Sequence, residues 1–153
     1  MKTLELAVPP PVVMAVTAGI MWVVTVTFPL FTFPWLYHPV AVILLAAMGL
    51  LIGSLAVLKF HQSDTTIHPE QLQKTRVFVC SGPYRYSRNP MYLGIVLLLL
   101  AWAIFLGNAL AFFGVWVFII YITRYQIIPE ERALHRQFGD AYDRYTRAVR
   151  RWI

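Results

Sequence analysis

The chain has 153 residues, of which 59% are hydrophobic and only 13% charged, whereas charged residues make up about a quarter of an ordinary soluble domain. That composition excludes a water-soluble globule. The net charge of +6 is explained below by a membrane rather than by nucleic acid. One cysteine, Cys80, excludes an internal disulfide and leaves the redox compartment open.

The apolar residues lie in long runs. A run of about 20 can cross a bilayer as a helix, and lipid offers the backbone no alternative hydrogen-bond partner. The expected fold is therefore all-α: one polytopic membrane domain over residues 1–153, with four transmembrane helices and a C-terminal cytoplasmic amphipathic helix.

The first span is expected at about residues 12–30. It follows a single positive side chain, Lys2, is too long for the core of a signal peptide, and lacks a small-residue cleavage site; it reads as a retained membrane helix. "FTFPWLYHP" (31–39) is a Pro- and aromatic-rich connection suited to the bilayer interface. The second span, about 40–58, carries Gly49 and Gly53 four residues apart, a spacing that lets another helix approach closely.

Residues 59–90 form a polar loop. The third and fourth spans, about 91–106 and 109–125, are short and separated only by Gly107 and Asn108, so they form a tight hairpin. From residue 126 to 153 the chain turns polar. Pro129 and the acids behind it suit a helix start. Leu134, Phe138, Tyr142, Tyr145 and Val149 give that helix one apolar face, with arginines opposite. The arginine face suits lipid headgroups.

All thirteen Lys and Arg lie in the N-terminal residues, the 59–90 loop, or the segment from Arg124 onward. The 31–39 and 107–108 connections have none. The positive-inside rule then puts both termini and the large loop in the cytoplasm, as in an integral protein of a prokaryotic inner membrane.

The hairpin should bring two polar stretches together at its open end. "GPYRYSRNPMYLG" (82–94) supplies Arg85, Arg88, Tyr84, Tyr86 and Tyr92. "PEERALHRQFG" (129–139) supplies Glu130, Glu131 and His135. Charges at a membrane face need partners. A cluster of Arg and Glu can hold a zwitterion, with guanidinium on its carboxylate and carboxylate on its ammonium. The helix starts near Pro90 and Pro129 add backbone N–H donors.

Taken singly, these residues have plainer readings. Arg85 and Arg88 suit interfacial anchors, the tyrosines an aromatic belt, and Glu130–Glu131 a helix-start charge pair. His61, Asp64 and His68 match no strong metal-site spacing, so no metal is expected. There is no Gly-x-Gly-x-x-Gly, which disfavours a soluble nucleotide-binding fold.

The ordered set is more specific. Gly82, Tyr84, Arg88-Asn89-Pro90, Tyr92 and Gly94, then Asn108, then Glu130-Glu131, Leu134, Phe138-Gly139, Tyr142 and Tyr145, resembles the isoprenylcysteine carboxyl methyltransferase family, whose superfamily includes phospholipid N-methyltransferases. "TTIHP" (65–69) resembles a loop of bacterial members. The resemblance spans roughly residues 59–151.

It implies S-adenosylmethionine as cofactor and methyl transfer to a lipophilic acceptor (a carboxylate, an amine headgroup or a thiol) at the cytoplasmic face. Membrane lipids and a lipid-like substrate are the implied partners, and nucleic acid is not. Carried over, Tyr84, Arg88, Asn89, Pro90, Tyr92, Leu93 and Gly94 would line the cofactor pocket, closed by Glu130, Glu131 and Leu134. Arg88 and Glu131 are the expected catalytic pair. Asn89 stands where many members have histidine; it can hydrogen-bond but cannot titrate, so it is given no acid–base role. Two alternatives stand beside this reading: an NADPH-dependent reductase related to sterol reductases, and a non-catalytic membrane scaffold.

Overall fold

The structure, a computed structural model, describes residues 5–33, 38–62 and 79–153. Asp64, His68 and the 65–69 stretch lie outside these residues. Among the described residues the chain is helical: α1 (Pro10–Thr27), α2 (Pro39–His61), α3 (Pro90–Leu106), α4 (Ala111–Ile122), α5 (Ile128–Phe138) and α6 (Asp140–Ala148). Pro10, Pro39 and Pro90 each occupy the first turn, where the missing N–H costs nothing and the fixed φ is already helical. α3 stops at Gly107, which takes the left-handed conformation (φ 61°) and returns its N–H to the Ala103 and Ile104 carbonyls, a conformation glycine adopts without steric cost.

Among the described residues three helices are long and apolar enough to cross a membrane: Pro10–Thr27, Pro39–His61 and the continuous stretch Ala111–Phe138. α3 is apolar but has 17 residues, about 25 Å of rise at 1.5 Å per residue. α1 and α2 leave large apolar side chains exposed, among them Val16, Ile20, Leu44 and Leu51. In water such faces would be unfavourable; facing hydrocarbon they are at home.

The core lies where α1, α3 and α4 meet. Met21, Leu99, Ala103, Phe118 and Ile122 are buried there. α2 packs along α3, and the crossing is set by glycine. A Cβ on Gly94 would stand 2.7 Å from the Gly49 carbonyl oxygen and 3.0 Å from Gly53 Cα, and one on Gly49 would stand 2.8 Å from the Gly94 carbonyl oxygen. The backbones touch, so the glycine pair of α2 receives α3.

At one end of the bundle the two uncharged connections join. Thr32 and Asn108 form an antiparallel bridge, with the Phe33 N–H donating to the Gly107 carbonyl and the Ala109 N–H to that of Phe31. Asn108 is fully buried. Its Nδ2 donates to the Phe28 carbonyl at 3.0 Å and to Thr32 Oγ1 at 3.3 Å, and its Oδ1 accepts the Leu110 N–H.

The other end departs from the sequence expectation in two ways. Pro129 stands in the first turn of α5 as expected, but no break separates α5 from the fourth span. Instead α4 runs through a π turn, Thr123–Ile127, into α5. Proline has no N–H for the carbonyl four residues back. The wider turn absorbs this, and the Tyr125 carbonyl accepts the Leu6 N–H at 3.0 Å instead. Gln126 Nε2 reaches the Val8 carbonyl at 2.7 Å and Glu5 pairs with Arg132 at 2.7 Å, so residues 5–8 run beside the bulge. Second, the polar helix expected over 126–153 is broken at Gly139 (φ 48°, ψ −123°), which turns α6 back toward the start of α3.

Candidate functional site

α3 and α5 both begin at this end, so their first turns face each other. Arg88, just before α3, meets Glu131 in the first turn of α5: Nη2 lies 3.2 Å from Oε1, and both side chains are largely shielded from solvent. One helical turn further into α3, the Tyr92 hydroxyl donates to Glu130 Oε1 at 2.6 Å. The sequence expectation that the 82–94 and 129–139 stretches meet is therefore met atom to atom, across the whole α3–α4 hairpin.

Sequence reasoning missed Arg151. Beyond α6 the chain extends from Val149 and lies against residues 87–89. Arg151 forks onto Glu131, Nε to Oε1 at 3.1 Å and Nη2 to Oε2 at 2.7 Å. Its carbonyl accepts Asn89 Nδ2 at 2.9 Å, and the Arg150 carbonyl accepts the Arg88 N–H at 3.0 Å. Ser87, also unforeseen, is buried, and its Oγ accepts the Asn89 N–H. The sequence signal was faint: "VRRWI" reads as one more basic patch. A Trp just past a polar helix was the only hint of docking, and Trp152 does pack on the core.

The other expected residues take distinct places. Tyr84 is buried with Ala56 and Val79, and its carbonyl accepts the Tyr145 hydroxyl at 2.7 Å. Pro90 is buried in the first turn of α3 and Leu93 and Leu134 are half-buried. Gly94 faces α2; its lack of a side chain serves the helix crossing. Gly49 and Gly53 thus explain a glycine that the family pattern by itself assigned to the pocket.

Electrostatics follow the geometry. Burial pushes the Tyr84 and Tyr145 hydroxyls well above the usual phenol range. Tyr142 is pushed up to about 12, first by burial and then by the Glu131 charge, with Arg88 and Arg151 opposing. These three hydroxyls are neutral at ordinary pH. The fork onto Glu131 raises Arg151 further, so its charge is permanent. Tyr142 thus feels the Arg88 charge, yet the Arg88 Nε is buried without a partner. A buried donor left unpaired is unfavourable in an otherwise satisfied cluster and points to a missing acceptor.

The family model described as phospholipid methyltransferase matches residues 37–141, and the chain belongs to that family. It is 30% identical over 105 residues to the protein-S-isoprenylcysteine O-methyltransferase of Schizosaccharomyces pombe, covering 67% of this chain and 43% of that enzyme. It is also 52% identical over 63 residues to an uncharacterised protein of Haemophilus influenzae, covering 41% of this chain and all of that one. The chain thus spans less than half the length of the yeast enzyme. No solved structure matches. The matches indicate a methyltransferase of the phospholipid and isoprenylcysteine type and do not favour the reductase alternative. With the long apolar helices, they fit an integral membrane protein.

Proposed function

We propose that the protein transfers a methyl group from S-adenosylmethionine to a lipophilic acceptor at the cytoplasmic face of the membrane. In this reading α3 is the third of four spans, and the charged end lies inside. The observation that carries the proposal is the Arg88–Glu131 contact beside Tyr92–Glu130, built from segments that a hairpin of apolar helix separates.

The residues suit the donor's amino-acid part. It is a zwitterion, and the cluster offers both signs. The unpaired Arg88 Nε would take the carboxylate. Glu130, one oxygen of which is held by Tyr92, would take the ammonium with the other. Tyr84, Asn89, Pro90, Leu93 and Leu134 would complete the surroundings.

When bound, S-adenosylmethionine supplies a methyl group activated on a sulfonium. What remains for the chain is placement, and holding reactants in line supplies much of the acceleration in such displacements. Arg88 would orient an anionic acceptor, with Glu131 fixing its guanidinium. A carboxylate or thiolate acceptor needs no base. An amine must lose its proton, which a neighbouring glutamate can accept. The acceptor's tail would enter between helices from the bilayer.

Calorimetric titration of the purified protein separates the readings. S-adenosylhomocysteine should bind and NADPH should not; binding of NADPH alone would favour a reductase, and binding of neither a scaffold. Incubation with labelled donor and a lipid extract would then identify the acceptor.

A further inference from the structure

Residues 150–151 touch both halves of the site. Their backbone carbonyls receive the Arg88 N–H and the Asn89 side chain, while the Arg151 guanidinium grips Glu131. Along the chain, Arg88 and Glu131 are joined only through the membrane hairpin. This short segment staples the first turn of α3 to the first turn of α5 directly.

The chemistry of the grip matters. A guanidinium forked onto a carboxylate fixes the carboxylate plane as well as its position. Glu131 Oε1 is then shared between Arg151 Nε and Arg88 Nη2. Arg88 has its Nη2 on Glu131 and its charge beside Tyr142, and its buried Nε remains unpaired. Without Arg151, the Glu131 carboxylate could rotate, and Arg88 would follow it.

We infer that Arg151 is a positioning residue of this site: it locks Glu131, and through Glu131 it holds Arg88 so that the free Arg88 Nε faces an anionic group of the bound ligand. Asn89 belongs to the same device as the latch for the Arg151 carbonyl. The inference rests on the proposed methyltransferase reading and extends it to a segment outside the residues first assigned.

The test is calorimetric binding of S-adenosylhomocysteine to the full chain in detergent. Arg151→Ala should weaken binding roughly ten- to a hundredfold, the range for losing a hydrogen bond to a charged group. Arg151→Lys, which keeps the charge but loses the fork, should fall between Arg151→Ala and wild type. Glu131→Gln should bind no better than Arg151→Ala, because Arg151 acts through Glu131. Arg147→Ala, exposed on α6, should bind like wild type and melt at the same temperature.

Wild-type affinity in Arg151→Ala would overturn the inference. So would Arg151→Lys binding no better than Arg151→Ala, or Arg151→Ala binding more weakly than Glu131→Gln. Failure of the wild type itself to bind would instead remove the methyltransferase reading and this inference with it.

Discussion

At one end of the bundle Asn108 ties the α3–α4 turn to the connection between α1 and α2 with neutral groups: a buried amide, a threonine hydroxyl and paired backbone. At the other end Arg88, Glu131 and Arg151 join α3, α5 and the segment after α6 with charges. Both ends fasten elements far apart in sequence. The neutral end shows that fastening does not require charge, and an amide does it at lower desolvation cost. The ions at the other end therefore exceed what mechanics demands, and one donor among them is still unpaired. That surplus is what the proposed function draws on.

The contrast can be broken most sharply at the charged end. Arg88→Ala and Glu131→Ala should each reduce methyl transfer at least about 100-fold, roughly 2.7 kcal/mol of barrier, measured with labelled donor and lipid extract. Wild-type rates in both would make this end a joint like the other. Asn108→Ala should do the reverse: a loss of about 1–3 kcal/mol of stability from broken buried hydrogen bonds, seen as a lower melting temperature in detergent, with S-adenosylhomocysteine affinity unchanged. An affinity loss there would mean the two ends are coupled.

Smaller changes sharpen the picture. Tyr92→Phe removes only the hydroxyl on Glu130 and should weaken S-adenosylhomocysteine binding about tenfold, as expected for one charge-assisted hydrogen bond; equal affinity would take Glu130 out of the pocket. Gly139→Ala meets no neighbouring atom, yet φ is 48°. It should therefore cost about 1–2 kcal/mol through backbone strain alone, read from thermal unfolding. An unchanged melting temperature would show that the α5–α6 turn relaxes freely.

Much of this was legible in the residues. The apolar runs, the proline that opens α3 and the Gly107–Asn108 break located the apolar helices within a few residues, because these signals act locally. The meeting of Arg88 with Glu131 followed from one topological step, the short hairpin. Pro129 does stand in the first turn of α5, but the break expected before it is absent: the chain stays helical through the π turn, and the freed Tyr125 carbonyl finds Leu6.

The sequence by itself determined that the chain would be helical, apolar and charged at one end, since hydropathy and backbone hydrogen bonding are properties of each segment alone. Only the tertiary structure decided that Gly94 serves a helix crossing, that α4 continues through Pro129, and that Arg151 closes on Glu131. Those outcomes depend on distances between segments tens of residues apart. Such distances are set by packing and by the left-handed turn at Gly139, and no pattern along the chain records them.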